Sequence, residues 1–313
     1  MNKFAVFHLL LAAAGAASAA SPTELIFQTD AVSDANSLAK AKAKSSTCGN
    51  VNVSFRLQSV PAADHSALDS MVSYYEASQS RYYITAGSSD YAKAGFPLMW
   101  DSGAVCWNLQ NRSTYLQGIY LHEVLSARVS TTGSFSAADW GVIGQYASCA
   151  KTAQKKIVWS EFAGSSWGWQ YFLSLLAPSA VGSLPTAAKN AILPYKDVFV
   201  FLWANNRNLT DPSQASDLVL AKSLVEQLGT TANPVGYAFP WGVSAQDWQW
   251  YDSGADPAKI AASAIGGPVI DAYQQGGRYF QFEKYWTSPG FDQGTSDVRS
   301  YVRVANGCTD QQP

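Results

Sequence analysis

Short apolar runs alternate along this chain with longer stretches of helical composition. The apolar runs predict strands at residues 25–29, 51–58, 82–86, 118–124, 156–162, 198–205, 235–241 and 279–285. The stretches between them predict helices at residues 34–44, 66–79, 137–154, 167–176 with 186–192, 214–228 and 257–274. Alternating strands and helices favour a parallel sheet, because each crossover returns the chain to the same end of the sheet. This pattern predicts an α/β fold, a (β/α)8 TIM-type barrel, with a doubly wound open sheet as the alternative.

Polar and apolar residues alternate within several predicted strands, which predicts the side chains that point into the barrel. In the last strand, Gln281 and Glu283 share one face, while Phe280 and Phe282 share the other. The predicted lumen-facing residues are Gln28, Asp30, Arg56, Tyr83, Thr85, Glu123, Glu161, Asn205, Trp241, Gln281 and Glu283. Barrel interiors usually consist of Val, Ile and Leu. These polar residues therefore indicate a functional site or, alternatively, a structural polar network that fills the barrel.

Nothing in the sequence divides the predicted barrel into two domains. No linker rich in Pro, Gly or Ser separates its halves, so we expect a single domain. No Gly-x-Gly-x-x-Gly motif follows the first strand, which disfavours a dinucleotide-binding sheet. Residues 88–111 are long for one connection, and we interpret them as an excursion over the barrel mouth.

The first 19 residues have the pattern of a signal peptide. A short basic start, Asn2-Lys3, precedes an apolar run at residues 4–14, and Ala17-Ser18-Ala19 fits a small-x-small cleavage site. The apolar run is too short to span a bilayer, and no other stretch is long enough. We therefore expect a secreted, extracellular protein whose barrel domain covers residues 20–313. An uncleaved anchor is the alternative.

Four cysteines remain after cleavage: Cys48, Cys106, Cys149 and Cys308. An even count in an exported chain predicts two disulfides, for which three connectivities exist. Cys48 precedes the second strand and Cys308 follows the last helix, so both should lie near the bottom of the barrel. We therefore expect the pairs Cys48–Cys308 and Cys106–Cys149.

Three sequons suggest a glycoprotein. Asn111 and Asn208 lie in polar stretches and could carry glycans, whereas Asn52 falls inside a predicted strand and is not expected to. Such short motifs also arise by chance.

The charge pattern and the scarcity of histidine narrow the classes of partner. The formal net charge is −2, charged residues make up 14% of the chain, and no basic stripe exists, which argues against nucleic acid. Only His65 and His122 follow the signal segment, and no Cys-x-x-Cys motif occurs. We expect no metal and no cofactor, and we expect a monomer that does not bind membranes.

The chain contains 11 Trp and 16 Tyr, which suits either a large core or an aromatic-lined groove for sugar rings. The predicted substrate-binding residues are Asp30, Arg56, Tyr83, Trp167, Trp169, Asn205, Trp241, Trp248, Gln281 and Trp286. Arg56 could orient a carboxylate, bind an anionic substrate or serve as a buried ion-pair partner. Asn205 could bind a sugar hydroxyl or cap the next helix, and the tryptophans could be sugar platforms or loop anchors.

Three glutamates stand at the ends of apolar runs: Glu123, Glu161 and Glu283. Carboxylates cost free energy beside apolar neighbours, and parallel α/β proteins keep their chemistry at the carboxyl ends of strands. Neighbouring strands lie about 4.8 Å apart, so Glu123 and Glu161 are expected within about 5–6 Å, the spacing of a retaining glycosidase pair. A wider pair that includes Glu283 would suit inversion. These three residues are the predicted catalytic acid and nucleophile or base.

The combination of an export signal, a barrel, strand-end glutamates and abundant Trp resembles secreted (β/α)8-barrel glycoside hydrolases. The resemblance concerns architecture, since the fourth strand ends in His122-Glu123 instead of the Asn-Glu common in such barrels, and the seventh ends in Trp241 without a carboxylate. It implies an O-glycosyl hydrolase that cleaves a polysaccharide or oligosaccharide. The alternative is a non-catalytic carbohydrate-binding or interaction protein on a degenerate barrel.

Overall fold

The protein is described by a computed structural model over residues 22–29, 51–58, 65–162, 186–205, 241–245, 273, 276–282 and 300–301. Eight parallel strands close into a barrel in chain order. They are β1 (Thr23–Thr29), β2 (Val51–Leu57), β3 (Arg81–Ser88), β4 (Leu116–His122), β5 (Lys156–Phe162), β6 (Phe199–Asn205), β7 (Trp241–Ala245) and β8 (Tyr279–Phe282). Because β8 pairs with β1, the open-sheet alternative is wrong and the barrel prediction is confirmed.

Strand β7 differs from its predicted position. It begins at Trp241, the residue at which the predicted strand ended. Gly242 lies so close to β8 that a Cβ there would stand 1.5 Å from the carbonyl oxygen of Tyr279. A glycine is therefore required inside this strand, whereas the sequence analysis ends the strand at Trp241 and places Gly242 after it.

The described helices are α1 (His65–Ala77), α2 (Ser89–Lys93), α3 (Ser102–Asn111), α4 (Val124–Thr132), α5 (Ala137–Thr152) and α6 (Thr186–Ile192), and a 3₁₀ turn, Leu193–Tyr195, follows α6. The predicted helices at 66–79, 137–154 and 186–192 are thereby confirmed. The excursion expected at 88–111 contains α2 and α3. The sequence analysis did not predict helix α4. The predicted helices at 34–44, 167–176 and 214–228 lie outside the described residues, as does 257–274 apart from Tyr273. No described helix is long and apolar enough to cross a membrane.

A disulfide between Cys106 and Cys149 joins α3 to α5, with the two Cα atoms 5.3 Å apart. This pair was predicted and is confirmed. The other predicted pair, Cys48 and Cys308, lies outside the described residues.

The barrel wall separates two apolar cores. The larger core fills the space between strands and helices and contains Phe27, Phe55 and Trp159. The smaller core lies in the lumen and consists of Ile26, Tyr83, Tyr120, Val158, Val200 and Leu202, with Tyr279 packed against it. Successive strand residues alternate between these cores. Membership of one core or the other therefore shows which side chains of each strand point inward.

Candidate functional site

Arg56 lies at the centre of a polar network in the lumen, and its side chain is fully buried. Its Nη1 donates to Gln28 Oε1 at 2.9 Å, its Nη2 to Gln58 Oε1 at 3.1 Å and its Nε to Thr85 Oγ1 at 3.3 Å. The guanidinium carbon stands 4.3 Å from the centroid of the Tyr120 ring. Neutral oxygens and an aromatic face thus surround the cation.

Amide side chains extend this network around the barrel. The hydroxyl of Tyr120 donates to Gln281 Oε1, and Gln281 Nε2 donates to Gln28 Oε1 at 3.3 Å. Gln28 Nε2 donates to Gln58 Oε1 at 2.7 Å, and Gln58 Nε2 donates to Asp90 Oδ2 at 3.3 Å. Five strands (β1, β2, β3, β4 and β8) and the start of α2 are therefore connected. The partly exposed Asp90 marks the rim at the carboxyl ends of the strands.

The charge of Arg56 has no direct counter-ion among the described residues. A buried cation is costly unless a carboxylate or an anionic ligand compensates it. The amino-terminal end of the same lumen shows the usual solution, since the buried Glu24 accepts from Arg81 Nη2 at 3.1 Å and from the hydroxyl of Ser54. Among the described residues, a carboxylate therefore pairs with Arg81 at the amino-terminal end of the lumen, whereas none pairs with Arg56 at the other end.

His122 is the second notable lumen residue. It follows Tyr120 by two positions on β4, is 3% exposed, and its Nδ1 has no hydrogen-bond partner among the described residues. Burial, followed by the charge of Arg56, lowers the pKa of His122 to about 4, so the imidazole is neutral near pH 7. Ser160 lies opposite His122 in the β4–β5 register, and its buried Oγ also lacks a described partner. Such buried polar atoms usually meet ordered water or a ligand.

Glu161 points away from the lumen, contrary to the prediction. It shares the outer face of β5 with Trp159, whose Nε1 donates to its Oε1 at 2.7 Å. Oε1 also accepts from the main-chain N–H of Leu125 at 2.8 Å, and Oε2 accepts from that of Ser126 at 3.1 Å and from the Ser126 hydroxyl at 2.6 Å. The carboxylate thus satisfies free N–H groups at the start of α4. Burial raises the pKa of Glu161 to about 7, although these hydrogen bonds oppose the rise.

Glu123 lies at the N-cap of α4, after the last residue of β4, with a left-handed backbone (φ 52°). Its Oε2 accepts from the hydroxyl of Ser89 at 3.2 Å. It lines a cavity of about 480 Å³ beside α2 and α4, together with Lys93 and Arg128. The left-handed turn follows β4, which ends at His122, two residues before the predicted strand end at residue 124. The predicted lumen pair of Glu123 and Glu161 is therefore not formed.

Other predicted site residues divide into two groups. Gln28, Arg56, Thr85 and Gln281 point into the lumen as expected and belong to the network. Tyr83 also points inward but packs in the inner apolar core, where burial raises its pKa well above the usual value. The remainder lie outside the described residues: Asp30, Trp167, Trp169, Trp248, Glu283, Trp286 and the side chains of Asn205 and Trp241. The catalytic roles assigned to Glu123, Glu161 and Glu283 stay predictions.

The sequence analysis missed two lumen positions that the structure emphasises. The predicted lumen residues omit His122, which is out of phase with the predicted Glu123, although Tyr120 two residues earlier points into the lumen. Ser160 has the same relationship to the inward-facing Val158. Within the described part of the chain, no cluster of three potential metal ligands occurs.

Comparisons with known proteins add a likeness in fold. No protein-family profile and no curated protein matches the sequence. A solved dihydropteroate synthase from Stenotrophomonas maltophilia matches with a TM-score of 0.48 and 11% identity, covering 91% of this chain and 92% of that one. A type I 3-dehydroquinate dehydratase from Clostridium difficile matches with a TM-score of 0.47 and 9% identity, covering 92% and 94%. At these identities the likeness concerns the barrel fold alone.

These comparisons also correct the expected function. The similar structures include synthases, a pyrophosphorylase, a decarboxylase and a dehydratase, and none of these is a polysaccharide hydrolase. The expectation of a polysaccharide-cleaving glycoside hydrolase is therefore wrong. The placement of Glu161 agrees with this correction, because its carboxylate is fully engaged at the start of α4.

Proposed function

We propose that the protein binds a small molecule with an anionic group in the carboxyl-terminal mouth of the barrel, where Arg56 serves as its counter-ion. The observation that carries this proposal is the buried guanidinium of Arg56, which meets only neutral partners among the described residues. Arginine suits this task because its planar fork matches carboxylate and phosphate oxygens. Gln28 and Gln58 hold the guanidinium in place, so little ordering is needed when a ligand binds.

His122 and Ser160 supply contacts for the rest of the ligand. Their polar atoms, which have no partner among the described residues, stand at neighbouring positions on β4 and β5. Arg56 lies against Tyr120, two residues before His122. A neutral imidazole can accept a hydrogen bond or a proton from a ligand hydroxyl. Imidazole is also the commonest general base in enzymes. We therefore propose an acid–base enzyme for a small hydroxylated anion in preference to a passive carrier.

Binding can be tested without a known substrate. Short mono-, di- and hydroxycarboxylates and phosphate monoesters would be screened by thermal shift and by saturation-transfer NMR. We expect at least one acid to bind, and we expect its neutral amide analogue, the matched ligand control, to bind about 10–100-fold more weakly because a charged hydrogen bond is lost. Failure of every anion to bind would overturn the proposal.

A pair of protein variants locates the site. Arg56→Lys keeps the charge but loses the fork, and it should weaken binding of the selected acid about tenfold or more. Arg81→Lys changes the other lumen arginine, whose partner is Glu24 at the opposite end, and should leave binding unchanged. Equal affinity of the wild type and a folded Arg56→Lys variant would refute the assigned site. Once turnover of a bound acid is found, His122→Asn should lower kcat.

We also propose that the chain is an exported, extracellular protein. Support comes from the signal-like pattern at residues 1–19 and from the Cys106–Cys149 disulfide, because disulfides persist in oxidising compartments. Mass analysis of protein secreted under its own leader should show cleavage near Ala19. Retention of the whole leader on protein inside the cells would contradict the proposal.

A further inference from the structure

Trp107 on α3 has an exposed ring. It is 54% exposed, and no other large apolar side chain in the described part of the chain is exposed. The guanidinium carbon of Arg112 stands 5.2 Å from the ring centroid, and Arg112 itself is held by hydrogen bonds to Asn108 and Asp69. The indole is therefore positioned by a fixed neighbour while much of its surface faces solvent.

The last residue of the same helix, Asn111, begins the sequon Asn111-Arg112-Ser113. Asn111 is exposed, and its Nδ2 donates to the main-chain oxygen of Trp107 at 2.8 Å. Residues four apart share one helix face, and helical side chains lean towards the N-terminus. A group attached to Asn111 Nδ2 is therefore directed over the turn that carries Trp107.

We propose that Asn111 is an N-glycosylation site and that the first N-acetylglucosamine of its glycan packs on the ring of Trp107. A glycosylated asparagine amide keeps one N–H, so the hydrogen bond to the Trp107 carbonyl can persist and hold the sugar near the indole. The apolar face of a pyranose ring fits a flat aromatic surface, and this contact would shield the exposed Trp107. The inference rests on the proposed export, and it is independent of the anionic ligand.

The other sequon with a described acceptor serves as an internal control. Asn52 lies within β2, opposite Glu24 of β1, and is only partly exposed. A glycan there would obstruct the barrel wall. We expect Asn52 to be unmodified in folded protein, whereas Asn111 can carry a glycan at the surface without moving any strand.

The test uses the full chain secreted by yeast, once with its own leader and once behind a yeast leader, so that failed export is distinguished from an unused sequon. Peptide mass spectrometry should find hexosamine on Asn111 and none on Asn52. After trimming to a single N-acetylglucosamine, NMR of ¹³C-labelled sugar should show proton resonances shifted upfield by the indole ring current. Trp107→Ala should abolish this shift, and Trp107→Tyr should restore part of it.

Two results would overturn the inference. An unmodified Asn111 in protein secreted behind the yeast leader would refute the modification site. Sugar resonances that are identical in wild type and Trp107→Ala would refute the packing on Trp107. Asn111→Gln, made in the same host, should lack only the resonances of the sugar on Asn111. This variant therefore identifies those resonances.

Discussion

The carboxylate of Glu161 on β5 holds the first turn of α4 through Ser126, whose main-chain N–H and hydroxyl both donate to Oε2, at 3.1 and 2.6 Å. Two further donors, Leu125 N–H and Trp159 Nε1, reach Oε1. The start of a helix carries partial positive charge and unpaired N–H groups, so an acceptor with two oxygens suits this position. Glu161 thereby ties the barrel wall to the helix that begins after Glu123.

Replacement of Glu161 by Gln should destabilise the protein. The amide NH₂ would face either the donors on Ser126 or those of Leu125 and Trp159, and buried donors without an acceptor cost about 1–3 kcal/mol. Urea unfolding would measure this loss. Ser130→Ala changes an exposed hydroxyl on the same helix and should have little effect. A Glu161→Gln variant as stable as the wild type would contradict the role given to this carboxylate.

Glu161 should also make stability depend on pH. Its folded-state pKa of about 7 lies above the ordinary value of 4.5, because burial disfavours the charged form. The folded state therefore binds the proton more tightly than the unfolded state, and this contribution to stability is present below pH 4.5 and is lost as the pH rises to 7. The difference between wild type and Glu161→Gln should change by up to about 3 kcal/mol across this window. Urea unfolding at half-unit pH intervals would measure this change. A stability difference between the two proteins that stays constant with pH would contradict the raised pKa of Glu161.

His122 should give folding stability a pH dependence opposite in sign to that of Glu161. Its folded-state pKa of about 4 lies below the ordinary 6.5, because burial and the charge of Arg56 disfavour the imidazolium. The unfolded state binds the proton more tightly, so stability is lost as the pH falls from 6.5 to 4. The contributions of His122 and Glu161 oppose each other in the wild type, and His122→Asn should remove the His122 contribution from the pH dependence of stability. NMR titration of the imidazole would check the same point, since resonances that titrate near pH 6.5 would disprove a buried neutral His122.

The Cys106–Cys149 disulfide should stabilise the barrel through its helices. It closes a loop with a sequence separation of 43 residues, for which the chain-entropy account gives about 3–4 kcal/mol. The double variant Cys106→Ala/Cys149→Ala should lose about this amount in urea unfolding. A reducing agent should lower the stability of the wild type further than that of the double variant. An equal response of both proteins to the reductant would show that the bond contributes nothing.

Local periodicity predicted much of this protein correctly from its sequence. The inward direction of Gln28, Arg56 and Gln281 follows from alternation within single strands, which depends only on neighbouring residues. The eightfold alternation of strands and helices likewise indicated the barrel, because each crossover is a local unit. The prediction of the Cys106–Cys149 disulfide followed from the expected position of the other two cysteines at the bottom of the barrel.

Tertiary structure decided the positions of the two glutamates and the choice of lumen site. Glu123 leaves the strand alternation because its backbone is left-handed at the start of α4, and no pattern in the sequence marks that turn. Glu161 points outward beside Trp159, which donates one hydrogen bond, and α4, which the sequence analysis missed, places three further donors there. The environments of Arg56 and His122 depend on strands that are distant in sequence and meet only when the barrel closes. Periodicity records which residues share a face, whereas partners across the barrel are set by packing between elements.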